Sequence, residues 1–232
     1  MYNRSMMRTL LLALFIVGCS SYTPQQERDA LAQAAERYRS IRSLSGVVEE
    51  ASISGESAMA IQRTFVAQKP DRLAVLIVRD GEPIERIICK DGEITRVVFE
   101  QKTAFVGKGT VRDIAFAVPS LKFFFEPNAL SGELAKRLKL IGHEDTEFGR
   151  AAQYESVIEQ NLPTGKRTVQ AGLFVSEKLN LVVGGYEKSV EATGRERTLT
   201  WRMATIGIDG GADLSLFDYK IPEDYKIQRN DG

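Results

Sequence analysis

One histidine and two cysteines are the only side chains in this 232-residue chain with an obvious taste for metals or thiol chemistry. His143 lies in Gly142-His143-Glu144-Asp145, and a zinc site there would need further His or Cys ligands at short spacing. It reads as a surface turn histidine. Cys89 follows Ile87 and Ile88 inside an apolar run and reads as a small buried hydrophobe, not a reactive thiol. Ser57, in Gly55-Glu56-Ser57-Ala58-Met59, lacks the second glycine of a nucleophile elbow. Gly107-Lys108-Gly109-Thr110 lacks the full spacing of a phosphate loop and follows a hairpin strand. No carboxylate pair stands out for acid–base work. The expectation is therefore a protein that is not an enzyme and carries no metal and no cofactor. Lys plus Arg and Asp plus Glu are equal at 31 each, so no basic field exists to recruit nucleic acid.

Cys19 is the residue whose setting does imply chemistry. Arg4 and Arg8 form a positive start, and Leu10 to Val17 form a short apolar run. That run is too short to span a bilayer, which takes ~20 residues as a helix. Ile16-Val17-Gly18-Cys19 resembles the lipobox of bacterial lipoproteins. The resemblance implies that residues 1–18 are a signal peptide and that Cys19 becomes the first residue and carries the lipid. Membrane lipid is then a partner through acylated Cys19, which anchors the chain without spanning. Of the 31 basic residues two leave with the signal, so 29 face 31 acidic residues in the mature chain. Ser20, where an Asp would imply inner-membrane retention, points to the outer membrane of a Gram-negative host with the protein facing the periplasm. Residues 19–23 are a short tether, and residues 24–232 read as one domain with no linker or repeat.

Residues 24–43 carry Leu31, Ala34, Tyr38 and Ile41 at helical spacing, behind Thr23 as N-cap and Pro24 at the first turn. The stripe is narrow and the charges are mixed, so this helix packs on a sheet and does not lie on a membrane. From Leu44 the period becomes two. Strands follow at Ser45–Ser54 (with Val47, Ala51 and Ile53 on one face), Met59–Ala67, Arg72–Arg79, Ile84–Lys90, Glu93–Glu100 and Thr103–Val106. Asp91-Gly92 is a type I′ hairpin signal. Residues 110–138 break the pattern with short helices, and four of the eleven phenylalanines fall at 116–125. Strands resume at Lys139–His143, Ala151–Glu159, Gly172–Ser176, Asn180–Lys188 and Glu196–Ile208, with Gly184-Gly185 as an interruption. With 43% hydrophobic residues, a core of ordinary size can form.

Four stretches, in order, resemble the lipoprotein-localisation factors, the LolA/LolB-like superfamily that also holds RseB/MucB-like sensor modules. They are Tyr38-x-x-Ile41-x-x-Leu44-x-Gly46, Phe65 to Leu73 with its Lys69-Pro70 corner, Asp91-Gly92, and Phe217-Asp218-Tyr219-Lys220-Ile221-Pro222. The resemblance implies a mainly β fold with helices: an incomplete antiparallel barrel, an N-terminal helix and a helical lid. It further implies an apolar hollow for an acyl chain, another apolar ligand or a lipoprotein. Leu73, Val75 and Ile77 form one row of a strand apolar on both faces; with Phe65 they are the expected cavity wall, and the long helix is expected against the opposite Ala74 row. Phe116, Phe123, Phe124 and Phe125 are the expected lid. Lys69 stands where the soluble carrier has a lid-pinning arginine and is a candidate latch with a point charge in place of a planar fork. The short polar turn Asp80-Gly81-Glu82-Pro83 stands where the membrane-bound acceptor has a protruding apolar loop. A filled core would give the same sequence pattern. The alternative is therefore an envelope sensor or interaction protein with a closed core and a protein partner.

Overall fold

The computed structural model describes residues 24–162, 165–190, 194–210 and 213–230; the signal segment, Cys19, the tether and Thr23 lie outside them. Helix α1 (Pro24–Ser40) carries the expected stripe: Leu31, Ala34 and Tyr38 are buried, as are Ala35 and the following Ile41. Burial of that one face, more than helix propensity, stabilises a helix of this length.

A meander follows: β1 (Ser43–Ser54), β2 (Ser57–Gln68), β3 (Arg72–Arg79), β4 (Glu82–Lys90), β5 (Glu93–Val98) and β6 (Thr103–Lys108). Each strand is antiparallel to the next. Asp91 and Gly92 both have positive φ, 55° and 79°, as a two-residue type I′ turn requires. Residues 111–137 then form a cap of short helices, α2 (Val111–Ile114), α3 (Leu121–Phe125) and α4 (Glu133–Arg137), with 3-10 turns at Ala115–Ala117 and Pro127–Leu130. A second meander has β7 (Lys139–Thr146), β8 (Gly149–Leu162), β9 (Gly165–Ser176), β10 (Leu181–Val190) and β11 (Glu196–Ile208). β11 returns to β1, pairing Ile208 with Leu44 and Arg197 with Ser54. A 3-10 turn at Leu214–Asp218 leads to β12 (Lys226–Asn230), which runs parallel to β6. The order β12-β6-β5-β4-β3-β2-β1-β11-β10-β9-β8-β7 makes one open sheet, with β12 and β7 at its edges. This is the expected incomplete barrel with helices.

Its inner face, under α1 and the cap, holds the main core; Phe65, Leu73, Val75 and Ile77 share a cluster with Leu31, Tyr38, Leu121 and Phe124. On the outer face Val66, Ala74 and Ile88 pack with Phe217, Leu216 and Tyr219. Contrary to the expectation from sequence, the long helix does not cover the Ala74 row; the 214–219 segment does. Arg72 and Arg86 explain the preference, because their guanidinium groups lie 4.6 and 4.3 Å from the ring centres of Phe217 and Tyr219.

Other expectations also change. On β1 the apolar Val47, Ala51 and Ile53 row points outward, and Ile53 is 53% exposed. The inner row is Leu44, Val48 and Glu50, fixed by pairing of Leu44 with Ala67 and Glu50 with Ile61. Strand β10 runs through Gly184-Gly185, because the Trp201 indole fills the space beside Gly185: a Cβ there would sit 2.8 Å from Trp201 Nε1. His143 is in β7 rather than a turn, with Nε2 3.2 Å from Glu177 Oε1. Strand β12 has no apolar alternation to announce it, since all five of its residues are exposed.

Candidate binding site

The inner face is built where the β2–β3 corner meets α1. The register places Ala67 opposite Leu73, Phe65 opposite Val75 and Arg63 opposite Ile77; across β3 it places Leu73 opposite Cys89 and Val75 opposite Ile87. Directly opposed residues share a face, so this is one apolar patch over three strands. Cys89 lies within it, fully buried, and burial together with Asp71 and Asp113 pushes its thiol up to about 11, which keeps it protonated and inert.

The cap covers that patch. Phe124 is fully buried and Phe123 is 5% exposed; the Phe123 ring lies 6.4 Å from that of Tyr38, and Phe125 meets Phe124 edge-on at 4.9 Å. Tyr38 fixes the helix to the far side of the sheet by accepting a hydrogen bond from the Val182 N–H at 3.1 Å, and burial pushes its phenol pKa up.

Lys69 joins cap, helix and sheet. Its Nζ donates to the carbonyl oxygens of Tyr38 and of Ile41, the latter at 3.0 Å, and lies 4.7 Å from the centre of the Phe124 ring. Burial lowers its pKa, against the opposing pull of Asp209. Asp209 holds the other side of the same junction, accepting from the Arg42 N–H at 2.6 Å and the Ser43 N–H at 3.0 Å, bonds that hold its carboxyl below the usual range.

The structure thus brings together Phe65, Leu73, Val75, Ile77, Phe123, Phe124, Phe125 and Lys69. It does not bring Phe116 to them: that ring is on the cap but 79% exposed. The patch is filled by the chain's own side chains, with Leu73, Val75 and Ile77 at 0%, 1% and 8% exposure. A described cleft of about 560 Å³ lies elsewhere, lined by Glu49, Ala51, Ala60, Gln62, Thr200 and Arg202 among others.

Sequence reasoning missed a polar stripe on the inner face next to the apolar patch. Arg63 Nη1 meets Glu50 Oε2 at 2.5 Å, with side chains only 14% and 9% exposed. Arg96 clasps Glu85 through two bonds, 2.5 and 3.3 Å. The signal was present in the first hairpin, where Glu50 pairs with Ile61 and Arg63 with Val48, so the two charges stand diagonally on one face of adjacent strands. Apolar alternation drew attention to the other row.

No protein-family model matches the chain, and no curated protein matches it in sequence. Solved structures match it in fold. An uncharacterized conserved protein from Thermus thermophilus aligns over 88% of this chain and 98% of its own, with a TM-score of 0.51 and 8% identity. MucB, also solved with MucA from Pseudomonas aeruginosa, aligns over 87% of this chain with a TM-score of 0.51 and 12% identity. This chain spans 65% of MucB's length. The Mycobacterium tuberculosis lipoprotein LppX aligns over 83% of this chain and 100% of its own, with a TM-score of 0.49 and 9% identity. The chain therefore has the open, helix-capped half-barrel fold of MucB. The expected resemblance holds at the level of fold.

Proposed function

We propose that this chain is a non-catalytic binding lipoprotein of the bacterial envelope, anchored in the outer membrane through acylated Cys19 and facing the periplasm. Its half-barrel holds an acyl chain, another apolar ligand or a lipoprotein against the Phe65, Leu73, Val75 and Ile77 wall once the cap moves aside. The observation that carries this reading is how the wall is covered. The cap's helices are each five residues or fewer, and its inner Phe124 ring sits beside the polar Lys69 tie. Short elements of this kind have little intrinsic stability, so the cap is the part of the core that can open at least cost. Lys69 acts as the latch.

A second reading has the same anchor and no ligand: an envelope sensor or interaction protein that docks a protein partner over a permanently closed core. The near-complete burial of the same wall favours it. Native mass spectrometry of the signal-free Cys19→Ala chain, purified without detergent, separates the two. Co-purified lipid, or uptake of a fluorescent fatty acid, is the expected result. A bare chain that takes up no probe leaves the docking reading and removes the first.

A further inference from the structure

We propose that the outer edge of β6 is a docking site for an extended peptide, which β12 occupies from within the chain and yields to a partner strand. The 213–230 stretch has two unlike halves. Its first half is fixed: Phe217 is 5% exposed, Arg72 and Arg86 lie over Phe217 and Tyr219, and Lys90 Nζ is 3.3 Å from Asp218 Oδ1. Its second half is held almost wholly by backbone bonds. All five β12 residues are exposed, Ile227 included at 48%. The ion pair at its start, Lys102 Nζ to Asp224 Oδ2 at 2.7 Å, is between side chains 64% and 59% exposed. Exposed pairs contribute little in water.

The edge beneath is well made. Within β6, Ala104 and Val106 are buried, so the strand stays in place whether or not β12 is present. Beside the seam a groove of about 520 Å³ is lined by Ile94, Arg96, Phe105, Gln228 and Asn230 among others. Strand addition uses such an edge: ladder bonds supply affinity and adjoining pockets supply specificity. The occupant here is already a short extended segment in parallel register, with Lys226 opposite Thr103 and Asn230 opposite Gly107. A partner segment of the same form meets the same backbone groups.

The register makes the test sharp. The Lys226 N–H donates to the Lys102 carbonyl at 2.9 Å. In a parallel ladder alternate residues face the partner strand, so the Gln228 N–H points at β6 and the Ile227 N–H points away. Gln228→Pro removes a ladder donor, whereas Ile227→Pro alters a position where an edge strand tolerates proline. The probe is a fluorescent peptide of this chain's own residues 223–230, added to the whole mature chain carrying Cys19→Ala. Fluorescence anisotropy should show weak binding to the parent and to Ile227→Pro, and binding about tenfold tighter or more to Gln228→Pro, whose edge is vacated. A peptide carrying the same Gln228→Pro change should not bind. Equal affinity of Gln228→Pro and parent, or equal binding of both peptides, overturns the proposal. So does a Gln228→Pro chain that dimerises and ignores the peptide, because the edge then prefers a second copy. If Gln228→Pro does not fold, hydrogen exchange on the parent decides. Amides of β12 exchanging about a hundredfold faster than those of β4 support a yielding strand, and equal protection overturns it. None of these readouts depends on lipid in the half-barrel, so this proposal and the one above fail separately.

Discussion

Replacing Lys69 with methionine isolates the tie between helix, cap and sheet. The thioether keeps an apolar stem beside Phe124 and removes the ammonium that donates to the Tyr38 and Ile41 carbonyls. A hydrogen bond from a charged donor contributes about 1.5–3 kcal/mol when well buried. Lys69 is only partly buried, so solvent screens the pair, and the variant is also relieved of desolvating the ammonium, which is why burial lowers its pKa. The balance is a loss of about 1.5 kcal/mol, to which the contact with Phe124 adds ~0.5 kcal/mol. For a domain of this size that lowers Tm by roughly 4–8 °C. Thermal unfolding followed by circular dichroism gives the total. Hydrogen exchange gives its location, with faster exchange expected at the end of α1 and in α3. Lys69→Arg should restore most of the loss, since the guanidinium fork reaches two carbonyls at once. An unchanged Tm for Lys69→Met, together with unchanged exchange in α1, would refute the latch.

Glu50→Ala strands Arg63 in its part-buried site and should cost about 3 kcal/mol, whereas Glu50→Leu with Arg63→Met should be less destabilised than either of those single changes; urea unfolding of the four variants checks this. The Asp209 carboxyl is held below its ordinary 3.8 by the Ser43 and Arg42 N–H groups, so the native state binds fewer protons there than the unfolded chain. Its stabilisation is complete above the unfolded value and is lost as pH falls through the native one. The stability gap between parent and Asp209→Asn should therefore be wide at neutral pH and narrow in strong acid, as denaturant titrations at the two extremes would reveal. In the Cys19→Ala chain, Cys89 should stay unmodified by a thiol reagent at mildly alkaline pH and react at once in denaturant, because its thiol is buried and raised to about 11; rapid labelling of the native protein would contradict the burial.

Much of the fold was legible because local rules and global packing agree along it. The α1 stripe, the Asp91-Gly92 turn and the period-two runs each appear in the structure close to where the residues predict them. The β3 strand was legible as doubly covered but not as to which cover lay on which side. Its two rows are nearly equal in apolarity, and the deciding contacts come from Phe217 and Tyr219, some 140 residues away in the chain. The inner row of β1 was misread because a buried ion pair defeats a rule that equates inward with apolar. Glu50 is tolerated inside only because Arg63 answers it across the hairpin. The four-phenylalanine cluster was legible as a unit but not as to its members: Phe123 and Phe124 lie on α3 and turn inward, whereas Phe116 lies on the separate 3-10 turn Ala115–Ala117 and points into solvent. Strand β12 was invisible because an exposed strand held by backbone bonds needs no side-chain pattern at all.

The seam between β1 and β11 has a consequence for how the chain assembles. Among the antiparallel pairs of this sheet, every other one joins strands adjacent in sequence, whereas this one joins Leu44 to Ile208 and Ser54 to Arg197. Loop closure over that distance carries an entropic cost that the local hairpins do not bear, so the two meanders can organise before they meet. Until they do, β1 offers an open row of backbone groups with no partner on one side. A chain emerging N-terminus first carries that unfilled edge until residues 196–208 follow. In the interval that edge is open to pairing with another chain, and it is where a holding chaperone would act.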